Sequence, residues 1–107
     1  SEFPKGVELI IYDSDGNKSK IFADYAIVYS ETDLVDLRGN VILATHKKDS
    51  LFTEQMYFDQ TKEWVFTNEN VRLRSEGTDI NGIGFDSDRD FEEYEMLAMQ
   101  GDIEVNN

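Results

Sequence analysis

One pattern of residues occurs twice in the chain, and the second copy begins thirty positions after the first. This repeat constrains the fold more than any other feature, because a constant offset predicts one backbone path for both copies. The matched positions are Phe22, Asp24, Ala26, Val28, Leu34, Asn40, Val41 and Leu43 in the first copy and Phe52, Glu54, Met56, Phe58, Trp64, Asn70, Val71 and Leu73 in the second. A two-stranded unit cannot bury its apolar face alone, so the copies must stack. We therefore predict an all-β fold built from stacked antiparallel hairpins.

A looser third copy follows the second. It matches Phe85, Asp86 and Phe91 to Phe58, Asp59 and Trp64, and after a longer connection it matches Ile103 and Val105 to Val71 and Leu73. The changed spacing predicts a distorted last unit.

Polar spacers separate the apolar segments and mark the turns. Residues 7–12 form a strand-like run that stops at a turn-forming cluster over residues 13–17. The later spacers, at 30–33, 60–63 and 87–90, have lengths that fit hairpin connections.

Two short segments need separate treatment. Gly82 and Gly84 lie inside a strand-like run, which indicates a bulge or a close approach of two backbones. Residues 91–99 place Tyr94, Leu97 and Ala98 at helical spacing, but the surrounding repeat favours a strand.

Composition and charge exclude several classes of protein. The 23 acidic and 10 basic residues give a net charge of −13, which opposes binding to nucleic acid through charge neutralisation. The chain has no cysteine, so disulfides and thiolate metal sites are excluded. No stretch approaches the roughly 20 consecutive apolar residues of a membrane helix. We expect one soluble domain over residues 1–107.

Catalytic and metal motifs are absent or incomplete. His46 is the only histidine, which excludes multi-histidine sites, and its polar neighbours indicate a solvated loop. No phosphate-binding loop or nucleophile motif occurs, so we predict no enzymatic activity and no cofactor. Two aspartate-rich segments, 86–90 and 13–16, only partly match a calcium loop, so we expect ordinary polar turns there, with calcium binding as the alternative.

Large apolar side chains alternate along the strands of the repeat. They predict either a filled core or the lining of an open groove for acyl chains, since each buried methylene contributes ~0.8 kcal/mol. A third alternative is carbohydrate binding through exposed aromatic rings such as Tyr25, Tyr29 and Tyr57.

Several short motifs together resemble one family. They are Phe3-Pro4-Lys5-Gly6-Val7, Ala23-Asp24-Tyr25-Ala26, Gly39-Asn40-Val41, Leu51-Phe52-Thr53-Glu54-Gln55, Thr67 to Val71 and Gly82-Ile83-Gly84-Phe85. In order and spacing they are similar to the periplasmic domain of the LptC family of lipopolysaccharide-export proteins, in its Bacteroidetes-type form. The resemblance runs from Phe3 to about Gly101.

The resemblance implies an open, twisted β-jellyroll of the LptA and organic-solvent-tolerance type. It implies a non-enzymatic module that receives lipopolysaccharide from the inner-membrane ABC transporter and passes it to an LptA-like periplasmic bridge through edge strands. It also implies attachment to the inner membrane by an N-terminal anchor, which we expect to lie outside this chain. The implied lipid contacts are interior apolar positions, which alternation assigns to Phe22, Val41, Phe52, Met56, Phe58, Trp64, Phe66, Val71 and Phe85.

Two matters stay open at this point. The acidic surface disfavours a phosphorylated headgroup, so we expect the headgroup to remain in solvent or to be bridged by divalent cations. The alternative function is a structural β-repeat module that joins envelope partners through its edge strands without a bound lipid.

Overall fold

The computed structural model describes residues 2–3, 5–91, 94–95 and 98–100, and it is all β in this part of the chain. The strands in chain order are β1 (Glu2–Phe3), β2 (Val7–Tyr12), β3 (Lys18–Ala23), β4 (Tyr25–Tyr29), β5 (Leu34–Ala44), β6 (Ser50–Asp59), β7 (Trp64–Ser75), β8 (Thr78–Asp88), β9 (Tyr94–Glu95) and β10 (Ala98–Gln100). Because these residues include no helix, none of them forms a helix able to cross a membrane.

All strand pairs are antiparallel, and consecutive long strands are neighbours. One edge of β5 pairs with β6, and its other edge is shared between β4 and β3, while β3 also pairs with β2. At the far side, β8 carries β9 and β10 on its outer edge. The sheet is open and jellyroll-like, as the sequence predicts.

The repeat has the same backbone path in both copies. Strands β3 and β4 together correspond to β6, and β5 corresponds to β7. The turns before β5 and β7 each contain one residue with positive φ, Asp33 at 55° and Glu63 at 53°. The turns also contact one another, because the Gln60 backbone N–H donates to the Asp33 carbonyl at 2.9 Å and Arg89 pairs with Glu63 at 2.8 Å. The predicted stacking is therefore confirmed.

The third copy is matched differently from the prediction. In the second turn, the Asp59 carboxylate accepts hydrogen bonds from the backbone N–H groups two and three positions later. In the last turn, Asp88 accepts the equivalent hydrogen bonds, so Asp88 and not Asp86 corresponds to Asp59. In the last turn the residue with positive φ is Phe91, three positions after Asp88. In the second turn it is Glu63, four positions after Asp59. The last turn therefore differs from the second in the position of its positive φ. The predicted matches at Ile103 and Val105 lie outside the described residues.

The region 91–99 contains strand at the positions described there, β9 and β10. The remaining residues of that prediction, 92–93 and 96–97, lie outside the described part of the chain.

Register shifts cross the sheet in a line. They lie between Arg38 and Val41, between Thr53 and Tyr57, and between Thr67 and Asn70. At this line the inward alternation changes in β6 and β8, while β5 and β7 keep it. Gly84, with φ of 80°, lies in the gap opposite the third shift, which confirms the bulge predicted there.

The core lies on one face of the curled sheet. Its buried apolar side chains are Ile11, Ile21, Ala23, Ala26, Val35, Leu37, Val41, Leu43, Leu51, Met56, Val65, Val71, Leu73, Phe85 and Phe91. Val7, Leu9, Val28 and Phe58 pack against them. We call this side of the sheet the interior face and the opposite side the outer face.

Candidate functional site

Five of the nine predicted lipid contacts lie on the interior face. Val41, Met56, Val71 and Phe85 are buried, and Phe58 is partly buried against them. They come from the four long strands β5 to β8, so the interior face is apolar across the middle of the sheet. None of these five side chains carries an acidic or basic group.

The other four predicted contacts are on the outer face, and their assignment to the interior was wrong. Phe22 is 38% exposed and Trp64 is 39% exposed, while Phe52 and Phe66 are half-buried between residues that face inward. For Phe22 and Phe52 the reason is an inversion at the line of register shifts: the inward alternation changes between Ala23 and Ala26 and between Thr53 and Met56. For Trp64 and Phe66 the reason is the opposite, because β7 keeps one alternation through the shift, and Trp64 and Phe66 are out of phase with the inward residue Val71.

The sequence contained a signal for this inversion. Gly39 and Asn40 are adjacent in β5, and both have positive φ, 82° and 48°. A Gly-Asn pair within a strand-like run is typical of such a conformation. The pair marks where the shift lies, but the inversion itself occurs in the neighbouring strand β6.

Buried polar groups on the interior face are internally satisfied. The Thr53 hydroxyl donates to the Asn70 carbonyl at 2.8 Å, and within the described residues no buried side-chain polar atom lacks a partner. The interior face therefore offers apolar contact without a group aimed at a polar ligand. It suits an acyl chain and does not suit a headgroup.

The first and last described turns approach each other and close the curl of the sheet. The Ser14 backbone N–H donates to Asp90 Oδ1 at 3.3 Å, although the two residues are 76 positions apart. This contact is exposed, and such a hydrogen bond contributes only about 1 kcal/mol. We call the approach of these two turns the seam.

A buried carboxylate on the outer face was not predicted. Asp36 accepts hydrogen bonds from Arg38 Nε at 3.0 Å and from Gln55 Nε2 at 2.9 Å, and its side chain is 1% exposed. Gln55 in turn accepts from the Thr67 hydroxyl at 3.3 Å. The hydrogen bond to Asp36, with a smaller contribution from Tyr25, raises the pKa of the Arg38 guanidinium above its ordinary value. This network connects β5, β6 and β7.

His46 is not the solvated loop residue that the sequence indicated. Its Nε2 lies 3.5 Å from the Asp13 carboxylate, and its backbone N–H donates to the Ser19 hydroxyl at 3.0 Å. The imidazole is largely buried and joins the 13–17 turn to the turn that follows β5. Its role in this position is structural.

The aspartate-rich turns use their carboxylates to hold their own backbone. Burial opposes ionisation of Asp13, but hydrogen bonds from the Asn17 side chain and from the backbone of Asn17 and Asp15 outweigh it, so the pKa of Asp13 is lowered. Among the described residues, no group of three or more His, Cys, Asp or Glu side chains is arranged to hold a metal ion.

The first hairpin leaves one strand edge unpaired. Within the described residues, β2 forms hydrogen bonds only with β3, so its second edge presents free backbone groups along six residues. That edge carries a single charged side chain, Glu8, and is therefore weakly protected against pairing with another strand.

Comparison with known proteins gives one match over nearly the whole chain. A family model described as lipopolysaccharide-assembly, LptC-related, matches residues 5–106. No curated protein sequence matches the chain.

Proposed function

Because the chain belongs to the lipopolysaccharide-assembly, LptC-related family, we propose that it binds lipopolysaccharide and hands it onward during export. Proteins of this family are transport components of the envelope and are not enzymes. In this proposal the chain shelters the lipid A acyl chains and works between the inner-membrane ABC transporter and an LptA-like periplasmic bridge. It acts in the periplasm and is held at the inner membrane by an anchor.

The observation that carries the proposal is the apolar interior face of an open sheet. Val41, Met56, Val71 and Phe85 contribute to it from four neighbouring strands, and Phe58 extends it toward the 60–63 turn. An acyl chain can lie along these side chains without removing water from a polar group that lacks a hydrogen-bond partner. Burying six methylenes contributes about 5 kcal/mol, enough for weak and reversible holding.

Loading requires the seam to open, because the interior face is filled by its own side chains. The Ser14 to Asp90 hydrogen bond is the direct contact between the two turns at this place, and it is exposed. Separating the turns uncovers apolar side chains that the acyl chain then covers. The gain from burying the lipid offsets the cost of opening.

Transfer to a neighbouring protein uses the free edge of β2. An incoming antiparallel or parallel strand can satisfy the unpaired backbone groups of β2 and continue the sheet. The interior faces of the two proteins are then continuous, so an acyl chain moves from one to the other without crossing water. A proline at Ile10, on this edge strand, should weaken the assembly.

The proposal is tested by photo-crosslinking to lipopolysaccharide. A benzoylphenylalanine at Phe58 conserves an aromatic side chain on the interior face, and the same probe at Tyr29 is an outward-facing aromatic control near the same end of the sheet. We expect crosslinking from position 58 and little from position 29, with circular dichroism showing that both proteins are folded. Equal crosslinking at both positions would contradict an interior path.

The filled interior and the free edge of β2 also support the alternative of a structural module that joins envelope partners without lipid. In that case position 58 stays silent toward lipopolysaccharide in a protein that still binds its partners. Binding would then depend on the β2 edge alone.

A further inference from the structure

Two cavities meet on the outer face, one apolar and one basic. The first has a volume of about 320 Å³ and lies along the line of register shifts; its lining residues are Asn40, Val41, Ile42, Phe52, Thr53, Glu54, Asn70, Val71, Arg72 and Asn81. The second, of about 560 Å³, surrounds the turn between β7 and β8. Arg72 and Asn81 line both, so the cavities are contiguous.

The apolar cavity follows a row of register neighbours. Phe22 in β3 lies beside Ile42 in β5, and Ile42 lies beside Phe52 in β6. None of the three belongs to the buried core, and Phe22 is 38% exposed. In a chain with a net charge of −13, an apolar row on the outer face is unusual and marks a candidate binding surface.

The row ends at cationic side chains. Phe52 lies beside Arg72 in β7, and Arg74 is the next outward residue of that strand. Arg72 forms a two-point ion pair with Asp79, at 2.6 and 2.9 Å, and both arginines line the second cavity. The lining of the second cavity holds two arginines and one aspartate, and Glu54 lines the first cavity.

The repeat explains why the apolar row and the cationic side chains are adjacent. Ile42 and Ala44 in the first copy occupy the positions that Arg72 and Arg74 occupy in the second. The interior neighbours of these positions are apolar in both copies. On the outer face β5 of the first copy is therefore apolar at these two positions, and β7 of the second copy is basic.

We infer that this outer groove binds an acyl glycolipid that carries a phosphate, with one acyl chain along Ile42 and Phe52 and the phosphate at Arg72 and Arg74. The inference rests on the proposed function, which makes lipopolysaccharide the source of that chemistry, but the groove opens on the opposite side of the sheet from the interior face, with Val41 and Val71 contributing to both. An apolar cavity alone would accept any apolar chain. The contiguous arginines select an anionic headgroup, because guanidinium pairs well with phosphate oxygens.

The test is photo-crosslinking from benzoylphenylalanine at Ile42, with Tyr29 as the outward control position, using purified lipopolysaccharide. We expect crosslinking at position 42 and not at position 29. In the Ile42 probe protein, Arg74→Gln should lower lipopolysaccharide capture about tenfold, the effect of removing one charge-assisted hydrogen bond to phosphate. The matched control is Lys62→Gln, which removes the same charge from an exposed turn at the other end and should leave capture unchanged.

Three outcomes would overturn the inference: silence at position 42, equal loss of capture in the two charge variants, or equal competition by phosphatidylglycerol vesicles. The last would show a general anionic lipid surface. Crosslinking at Phe58 with silence at Ile42 would remove the outer groove and leave the proposed function intact. Crosslinking at Ile42 with silence at Phe58 would support the groove and contradict the interior path.

Discussion

The two copies of the repeat agree on the interior face and differ on the outer face. Val41 and Leu43 correspond to Val71 and Leu73, and all four are buried. Between them, Ile42 of the first copy corresponds to Arg72 of the second, and both point outward. Stability therefore constrains the inward positions to apolar residues, whereas the outward positions can diverge to create a surface with two different ends.

The copies also differ in how they cross the line of register shifts. In the first copy the chain is interrupted at Asp24, and β3 separates from β4 to form the hairpin with β2. In the second copy β6 continues through Glu54. The interruption is what frees β2 and β3 to curl toward the last turn and form the seam.

The largest expected effect concerns the matched inward positions Leu43 and Leu73, which are apolar in both copies of the repeat. Leu43→Ala and Leu73→Ala should each lower the free energy of unfolding by about 2–5 kcal/mol, because each leaves a cavity in the core. Urea unfolding measures both. Ile42→Ala, at the outward position next to Leu43 in β5, should cost less than about 1 kcal/mol. A loss for Ile42→Ala as large as that for Leu43→Ala would mean that the two faces are not distinct.

A smaller effect tests the difference at the bulge. Gly39→Ala places a Cβ 2.6 Å from Asp24 Oδ2 at a φ of 82°, so it should destabilise the protein by roughly 1–3 kcal/mol. At the corresponding position of the second copy, Glu69→Ala should change stability by less than about 0.5 kcal/mol, since Glu69 is exposed and lacks a positive φ. Thermal unfolding of both variants measures the contrast, and equal shifts would show that the copies share one bulge geometry.

The smallest effect concerns an ion pair of the second copy, between Arg72 and Asp79. The hydrogen bond from Arg72, together with the charges of Arg72 and Arg74, lowers the pKa of Asp79 below its ordinary value. The pair therefore stabilises the fold above the unfolded pKa of that carboxyl, and the contribution is lost as pH falls through the folded pKa.

Carboxyl NMR titration measures this directly. Asp79 should titrate below an ordinary aspartate, and Arg72→Ile, which copies the residue of the first repeat, should raise its pKa toward the ordinary range. An unchanged pKa in that variant would show that Arg72 does not hold the carboxylate.

The repeat offset predicted the architecture because it depends only on matched positions. The two backbone paths are identified by matched pairs such as Phe22 with Phe52 and Val41 with Val71, whichever way each side chain points. Assignment of faces failed at Phe22 and Phe52 because β3–β4 and β6 invert at the line of register shifts, and it failed at Trp64 and Phe66 because β7 does not invert there. Sequence spacing alone cannot show where a strand gains a residue.

The polar contacts between distant segments were not accessible from the sequence at all. Asp36 is one of 23 acidic residues, and nothing local distinguishes it. Arg38 contacts it from the same strand, but its burial also depends on Gln55, which reaches it only once β5 and β6 are paired in register. The contact of His46 with Asp13 likewise requires the curl that brings two turns together.

The seam provides the most direct test of interior loading. The chain has no cysteine, so Ser14→Cys and Asp90→Cys would supply its only thiols, which a disulfide or a short bismaleimide can join. With benzoylphenylalanine at Phe58 in the same protein, we predict that locking the seam abolishes crosslinking to lipopolysaccharide. Reducing the disulfide should restore it. Undiminished crosslinking at position 58 in the locked protein would contradict entry of the acyl chain through the seam.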